Sequence, residues 1–260
     1  MASSDRHASL RLVSDLPVEP DEPVALQRFG TSRRVAMRGR LSEVVDAGYQ
    51  SILMALAEEP AEVVCDLTGV TGPVDAEAVD VLASVGCEVE HWPGSRVGMI
   101  CPDATLRREL AQQPDTRYLV LGERRAGVLS RLADGPARTV SRLHLPPEAR
   151  SASVARQRVA EACLDWGCGI QLEAATLIVS EMVTNALLHA GTMLELSVAR
   201  CEDRLRIAVG DGNTRTPQRQ PMDTSRVTGR GMLLVAAFSR SWGVLPTAHG
   251  GKVVWAVLDV

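Results

Sequence analysis

The chain has 260 residues, of which 45% are hydrophobic and 23% charged, and its formal net charge is -4. The length predicts two domains of ordinary size, and the absence of a positive charge excess disfavours direct binding to nucleic acid. Aromatic residues make up only 3%, which leaves few side chains on which bases could stack. The six cysteines form no CxxC pair, and we predict that they are buried, reduced thiols.

The first 22 residues lack hydrophobic periodicity and predict a flexible tail. No stretch resembles a signal peptide, and none reaches the ~18 apolar residues of a membrane span. The sequence therefore predicts a cytoplasmic protein that makes no membrane contact.

Residues 23–132 alternate between strand and helix patterns, which predicts an α/β domain. Gly69 to Pro73 predict a break in the chain after the second of these strands. The predicted strands are Ser32–Met37, Ala61–Leu67, Arg96–Cys101 and Tyr118–Leu121, and the predicted helices are Leu41–Glu58, Asp75–Val89, Ala104–Gln113 and Arg124–Leu132.

Residues 133–138 contain Gly135 and Pro136 and predict a linker to a second domain, residues 139–260. Helices beside hairpin-connected strands predict an α+β sandwich there. The predicted strands are Thr139–Leu145, Leu194–Arg200, Arg204–Val209, Ser241–Leu245 and Val253–Leu258, and the predicted helices are Ser151–Trp166, Leu172–His189 and Gly231–Ser239.

The predicted helix Leu172–His189 carries three polar side chains on one face, Glu181, Asn185 and His189. Their i, i+4, i+8 spacing places them within an arc of roughly 80°. A carboxylate and an amide on a largely apolar helix are costly to desolvate unless they meet a ligand, water or a metal. The helix alone leaves two interpretations equally open, a ligand site and a solvated outer face.

Three further features follow in chain order. Asp211-Gly212 ends a predicted strand, and a basic, irregular loop follows at residues 213–228. Thr228-Gly229-Arg230-Gly231-Met232 then opens an apolar helix, and the free N–H groups of a helix start favour anions. Taken together, these features predict a phosphate-binding site better than any one of them alone.

This arrangement resembles the GHKL (Bergerat) ATPases, and among them the actinobacterial anti-sigma-factor serine kinases. Ser180 to His189 resemble the N box of that family, Asp211-Gly212 the first glycine box, and Gly229 to Met232 the second. The resemblance covers about residues 139–260 and implies a Bergerat α+β sandwich with ATP and Mg²⁺ as cofactors.

The resemblance also implies a role for each site residue. Glu181 would be the general base and Asn185 the Mg²⁺ ligand, while Asp211 would accept from the adenine amino group beside Gly212. The remaining nucleotide-binding positions would be Thr228, Gly229, Arg230, Gly231 and Met232, beneath a lid formed by residues 213–228. His189 is left out of catalysis, because a histidine near a helix end is more often a capping or packing residue.

Residues 24–132 resemble a STAS domain, the fold of anti-anti-sigma factors, through Val64-Cys65-Asp66-Leu67-Thr68-Gly69 and the helix after Asp75. In phosphorylatable family members a serine opens that helix, whereas here Asp75 or Ala76 occupies the position, depending on the alignment. The acceptor hydroxyl is missing either way, and Asp75 fits the role of a helix N-cap.

The two resemblances imply a partner-switching regulator that phosphorylates a serine of a separate STAS protein and thereby controls a sigma factor. They also imply a homodimer. The alternative is a non-catalytic protein in which ATP tunes the affinity for a partner, and the abbreviated first glycine box, with Asn213 after Gly212, favours it. An ATPase motor or topoisomerase is disfavoured, because no transducer domain follows the nucleotide site.

Overall fold

The computed structural model describes residues 22–213 and 230–260. The chain divides into two compact units between Gly135 and Pro136, a boundary that lies within the predicted linker. Both units combine helices with a β-sheet. Within the described residues, no helix combines the length and hydrophobicity needed to span a bilayer.

The first unit is built on a five-stranded sheet in the order β1-β2-β3-β4-β5. Its strands are β1 (Val24–Phe29), β2 (Ser32–Arg40), β3 (Glu62–Thr71), β4 (Arg96–Ile100) and β5 (Leu119–Gly122). Strand β1 pairs with β2 in antiparallel fashion, and all later neighbours are parallel. The parallel pairs require crossover connections, which explains the alternation of strands and helices seen in the sequence.

Three helices supply those connections, a fourth follows the last strand, and Pro114–Tyr118 adds a 3₁₀ turn. They are α1 (Leu41–Ala57), α2 (Ala76–Glu90), α3 (Ala104–Gln112) and α4 (Arg125–Ala133). Helix α2 begins after Asp75, whose side chain accepts a hydrogen bond from the Ala78 amide at 2.8 Å. The interpretation of Asp75 as an N-cap is confirmed.

Two features of this sheet depart from the sequence prediction. The predicted break at Gly69 to Pro73 begins later than expected, because β3 runs on to Thr71 and pairs with the end of β2 after a register shift, and residues 72–75 then separate it from α2. Gly69 permits this pairing, since a Cβ there would lie 2.7 Å from Arg38 Cγ. Strand β1 was not predicted, and it returns to β2 through Gly30 at φ +55°, a backbone conformation suited to glycine.

The second unit contains a five-stranded antiparallel sheet in the order β6-β7-β8-β10-β9. Its strands are β6 (Thr139–Leu145), β7 (Leu194–Cys201), β8 (Arg204–Asp211), β9 (Ser241–Pro246) and β10 (Lys252–Asp259). Its helices are α5 (Ser151–Asp165), α6 (Leu172–His189) and α7 (Arg230–Phe238), with a 3₁₀ turn at Gly169–Gln171. This is an α+β arrangement, as the sequence predicted.

The core of the second unit lies between the helices and one face of this sheet. Alternate residues of β8 face it, namely Leu205, Ile207 and Val209, together with Val254 and its alternate neighbours in β10. Burial of aliphatic side chains at ~25 cal/mol per Å² is the main force that holds the helices on this face. Because side chains alternate between the two faces of a strand, this pattern also determines which terminal residues of β8 and β10 face the helices.

The cysteines follow the prediction with one exception. All six are free thiols, and five are buried, but Cys87 is exposed. Cys87 lies in the last turn of α2 on the side away from Val85, Gly86 and Val89, which are buried. The hydropathy of the surrounding sequence did not reveal that a single position faces outward.

Candidate functional site

Helix α6 places the polar face between its buried and exposed sides. Ile178, Met182 and Ala186 are buried in the core, whereas Glu181 and Asn185 are half-buried. The side chain of His189, at the end of the helix, is exposed. Glu181 and Asn185 thus lie along the border of the core, where a side chain can reach a ligand while its helix stays fixed.

Glu181 lies directly against the start of α7. A Cβ built on Gly231 would come within 2.3 Å of Glu181 Oε2 and 3.5 Å of its Cβ, so a larger residue there would require the carboxylate to shift. The first turn of a helix carries unpaired N–H groups and a partial positive charge, which favour a nearby anion. The structure thereby brings together two of the predicted site residues from segments 50 positions apart, counted from 181 to 231.

Asp211 ends β8 on the same side of the sheet as Val209, which faces the helices. The side chain is 1% exposed and forms an ion pair with Lys252, whose Nζ lies 2.8 Å from Oδ1. The Asn213 amide donates to the same oxygen at 2.8 Å. Lys252 faces Asp211 directly across the β8–β10 pair, so the strand register itself brings the charges together.

The turn after Asp211 is fixed on several sides. The Asn213 side-chain amide donates to the His189 carbonyl at 2.5 Å, and the Gly212 amide donates to Thr192 Oγ1 at 2.9 Å. Gly251 approaches so closely that a Cβ there would lie 2.2 Å from the Asp211 carbonyl oxygen. These contacts tie the end of β8 to the end of α6 and to the start of β10.

Several predicted nucleotide-binding positions lie outside the described residues, namely Thr228, Gly229 and the lid segment after Asn213. Arg230 is the first residue of α7. Met232, one position after Gly231, is half-buried and packs against the core of the second unit. The described part of the second glycine box thus anchors α7 through Met232 and leaves Gly231 beside Glu181.

The residues present fit a magnesium ion that shares its ligands with phosphates. Within the described ranges, no group of three or more His, Cys, Asp or Glu side chains could hold a metal on its own. Mg²⁺ at phosphate sites needs only one or two protein oxygens, since phosphates and water supply the others. The half-buried amide of Asn185, one helical turn from Glu181, offers such an oxygen.

Lys252 is not among the site residues predicted from the sequence, and the predicted strand begins one residue later, at Val253. One signal was available, because Lys252 is a charged residue at the start of an otherwise apolar strand. Its partner lies 41 residues earlier, and only the strand order identifies it.

In the first unit, a carboxylate network lies in the middle of β3. Asp66 Oδ2 accepts from Arg34 at 2.6 Å, while Oδ1 accepts from the Thr68 amide and hydroxyl at 3.0 and 2.7 Å. Burial raises the pKa of Asp66, but the Thr68 and Arg34 contacts outweigh it, and the pKa lies below its usual value. These contacts use both carboxylate oxygens, so we interpret the network as structural.

The comparisons with known proteins give low similarities. No protein-family model matches the chain, and no curated relative matches it. Among solved structures, an anti-sigma factor antagonist from Mycobacterium paratuberculosis is 18% identical, with 45% of this chain and 100% of that chain covered at a TM-score of 0.35. The NMR structure of the protein TM1081 is 9% identical, with 47% and 98% covered at a TM-score of 0.36.

Proposed function

We propose that the second unit binds ATP with Mg²⁺ and transfers the γ-phosphoryl group to a serine of a separate anti-anti-sigma (STAS) protein. The observation that carries the proposal is the contact between Glu181 and Gly231. It places a carboxylate at the glycine-opened start of a helix, where phosphate groups are favoured. A base beside a phosphate site is the arrangement that phosphoryl transfer to a hydroxyl requires.

Each described residue then has one task. The Glu181 carboxylate accepts the proton of the incoming serine hydroxyl. The Asn185 amide oxygen would hold Mg²⁺, which would supply neutralisation of charge on the phosphates. Asp211, buried at the end of β8, accepts a hydrogen bond from the adenine amino group, and the start of α7 orients the phosphates through its backbone N–H groups.

The acceptor serine lies on another protein in this proposal. Asp75 is engaged as the N-cap of α2, and Ala76 has no hydroxyl. The phosphorylation state of the partner then decides whether this chain binds that partner or a sigma factor, as a homodimer.

The test measures transfer of label from γ-labelled ATP to STAS proteins encoded by neighbouring genes. We expect Glu181→Gln to lower transfer about 10²- to 10⁴-fold, the usual contribution of a general base, with ATP binding retained. Asn185→Ala should lower both phosphoryl transfer and ATP binding. Ser180→Ala is the matched control, because that hydroxyl donates to the Thr176 carbonyl of its own helix and should leave transfer unchanged.

The same measurement separates the kinase from a non-catalytic binding protein. The hydrogen bonds of Asn213 to the His189 carbonyl and from Lys252 favour the non-catalytic binding protein. They hold the abbreviated first glycine box in place through contacts within the protein. ATP binding without transfer to any of these STAS proteins would support the binding protein. Absence of ATP binding by the wild type would overturn both.

A further inference from the structure

Lys252 is the only lysine of the chain, and every other residue counted as Lys or Arg is an arginine. It is also one of the few buried charged residues, at 4% exposure. Lys252 is therefore the single side-chain ammonium group in a chain whose other basic residues of this kind are arginines, and it lies at the start of β10. Arginine is planar and forked, whereas lysine delivers a point charge through a slender stem, so the two are not interchangeable in a buried site.

The ammonium group contacts two parts of the β8 turn. Nζ donates to Asp211 Oδ1 at 2.8 Å and to the Asn213 carbonyl at 3.1 Å. The Asn213 amide donates to Oδ1 as well, at 2.8 Å. Within residues 22–213 and 230–260, both hydrogen bonds accepted by the Asp211 side chain end on Oδ1, and Oδ2 is left for a ligand.

We propose that Lys252 determines the base specificity of the nucleotide site by occupying one oxygen of Asp211, so that the carboxylate offers a single acceptor. Lys252 is a positioning residue in this scheme, since it acts on the base only through Asp211. The inference rests on the proposed nucleotide-binding function and adds to it the reason why one purine is selected.

The chemistry of the two purines supplies the discrimination. Adenine presents one amino group at position 6, which a single acceptor satisfies, whereas guanine carries an acceptor oxygen there. Guanine would pair with a carboxylate through its neighbouring N1–H and 2-amino donors, which together need both oxygens. With Oδ1 engaged, one of those donors is left unpaired in a buried site, and an unpaired polar group is penalised.

The ion pair also fixes where the single acceptor lies. Lys252 and Asp211 are direct cross-strand neighbours, and Gly251 brings the start of β10 against the Asp211 carbonyl. Rotation of the carboxylate would break its bonds to both Lys252 and the Asn213 amide. The acceptor is therefore set before a ligand arrives, which lowers the entropic cost of binding.

The experiment compares the equilibrium affinities of ATP, ITP and GTP as magnesium complexes, measured by calorimetry. ITP has the 6-oxygen of GTP without its 2-amino group. For the wild type we expect ATP to bind at least tenfold more tightly than ITP, and GTP to bind no more tightly than ITP, because the additional amino group finds no acceptor.

Lys252→Met removes the charge while keeping much of the stem. We expect weaker ATP binding, by about tenfold, and GTP binding several-fold tighter than ITP, because Oδ1 then keeps only the hydrogen bond from the Asn213 amide and can accept a second donor beside the one on Oδ2. Arg204→Met is the matched control. It removes a cation that lies 3.2 Å from Asp259 at the opposite end of the same two strands, and it should leave the order of affinities unchanged.

The outcomes separate the inference from the proposed function. If the wild type binds none of the three nucleotides, the proposed function fails and the inference fails with it. If the wild type binds ATP but prefers GTP to ITP, or if Lys252→Met keeps the wild-type order, only the inference is overturned. If Lys252→Met does not fold, the affinities of the wild type for ITP and GTP still test the inference, since a preference for GTP would overturn it.

Discussion

Glu181 and Gly231 touch: a Cβ on residue 231 would overlap Oε2 of the Glu181 carboxylate at 2.3 Å. One residue lies in the middle of α6 and the other in the first turn of α7. A residue larger than glycine at position 231 would have to displace the Glu181 carboxylate. The contact makes the position of the proposed catalytic base depend on a residue that has no side chain.

Replacing Gly231 by alanine tests this dependence. The added methyl group would push the Glu181 carboxylate out of place, and we expect phosphoryl transfer to fall at least tenfold, measured with labelled ATP. The unfolding temperature should change little, because alanine is a better helix former than glycine. Gly169→Ala is the control, since nothing lies within 4 Å of a Cβ there, and an equal loss in both variants would contradict the argument.

Gly251→Ala should destabilise the second unit. Residue 251 has φ +104°, and a Cβ would lie 2.2 Å from the Asp211 carbonyl oxygen. We expect a loss of about 1–3 kcal/mol or more, measured by urea unfolding. Gly191→Ala separates backbone strain from the steric clash, because Gly191 has φ +62° and nothing lies within 4 Å of a Cβ there. This variant should lose only the stability that depends on the backbone conformation. Equal losses would show that the close approach to Asp211 is unimportant.

The Asp66 network predicts a pH-dependent stability. Because the pKa of Asp66 is lower in the folded protein, its contribution is present above the ordinary aspartate pKa of about 4 and is lost as the pH falls through the folded value. We expect Asp66→Asn to lower the free energy of unfolding by about 1–3 kcal/mol at pH 7. The difference from the wild type should shrink below pH 4. Asp46→Asn, at an exposed position, should change stability little at any pH.

Thiol reactivity should distinguish Cys87 from the other five cysteines. Burial raises the pKa of Cys101 and of Cys163 to about 11, so only about one thiol in a thousand is ionised at pH 8. Burial also raises the pKa of Cys65 strongly. Cys87 is exposed, although slight burial and then Asp115 raise its pKa as well.

A thiol reagent added to the folded protein at pH 8 should therefore modify one cysteine quickly. Its rate should increase as the pH rises, because more of the Cys87 thiol becomes thiolate. Cys87→Ser should abolish this fast phase, and unfolding in urea should expose all the remaining thiols. A second fast thiol in the folded protein would contradict the assigned burial.

Most helices and strands could be predicted from the sequence because their apolar periodicity is strong. Helix α6 ends at His189 as expected, and β6 has the predicted bounds. Strand β1 was missed because its evidence lies in its pairing with β2 and in the conformation of Gly30. Local patterns do not record such pairing.

The site was predicted unevenly for the same reason. Glu181 and Asn185 are recognisable from their spacing on one helix, and Asp211-Gly212 from its position after a strand. The Lys252 contact was not recognisable, since it depends on the order β8-β10-β9, in which a later strand inserts beside an earlier one. Long-range strand order is set by the packing of the whole unit rather than by any segment.

A protease that cleaves only after lysine would have a single target in this chain, the bond after Lys252. That bond lies at the start of β10, between strands on both sides. Cleavage requires an extended, accessible segment, so β10 must first leave the sheet. One cut, yielding a long and a very short fragment, would then report the opening of the proposed nucleotide site, and ligands that hold the site closed would slow it.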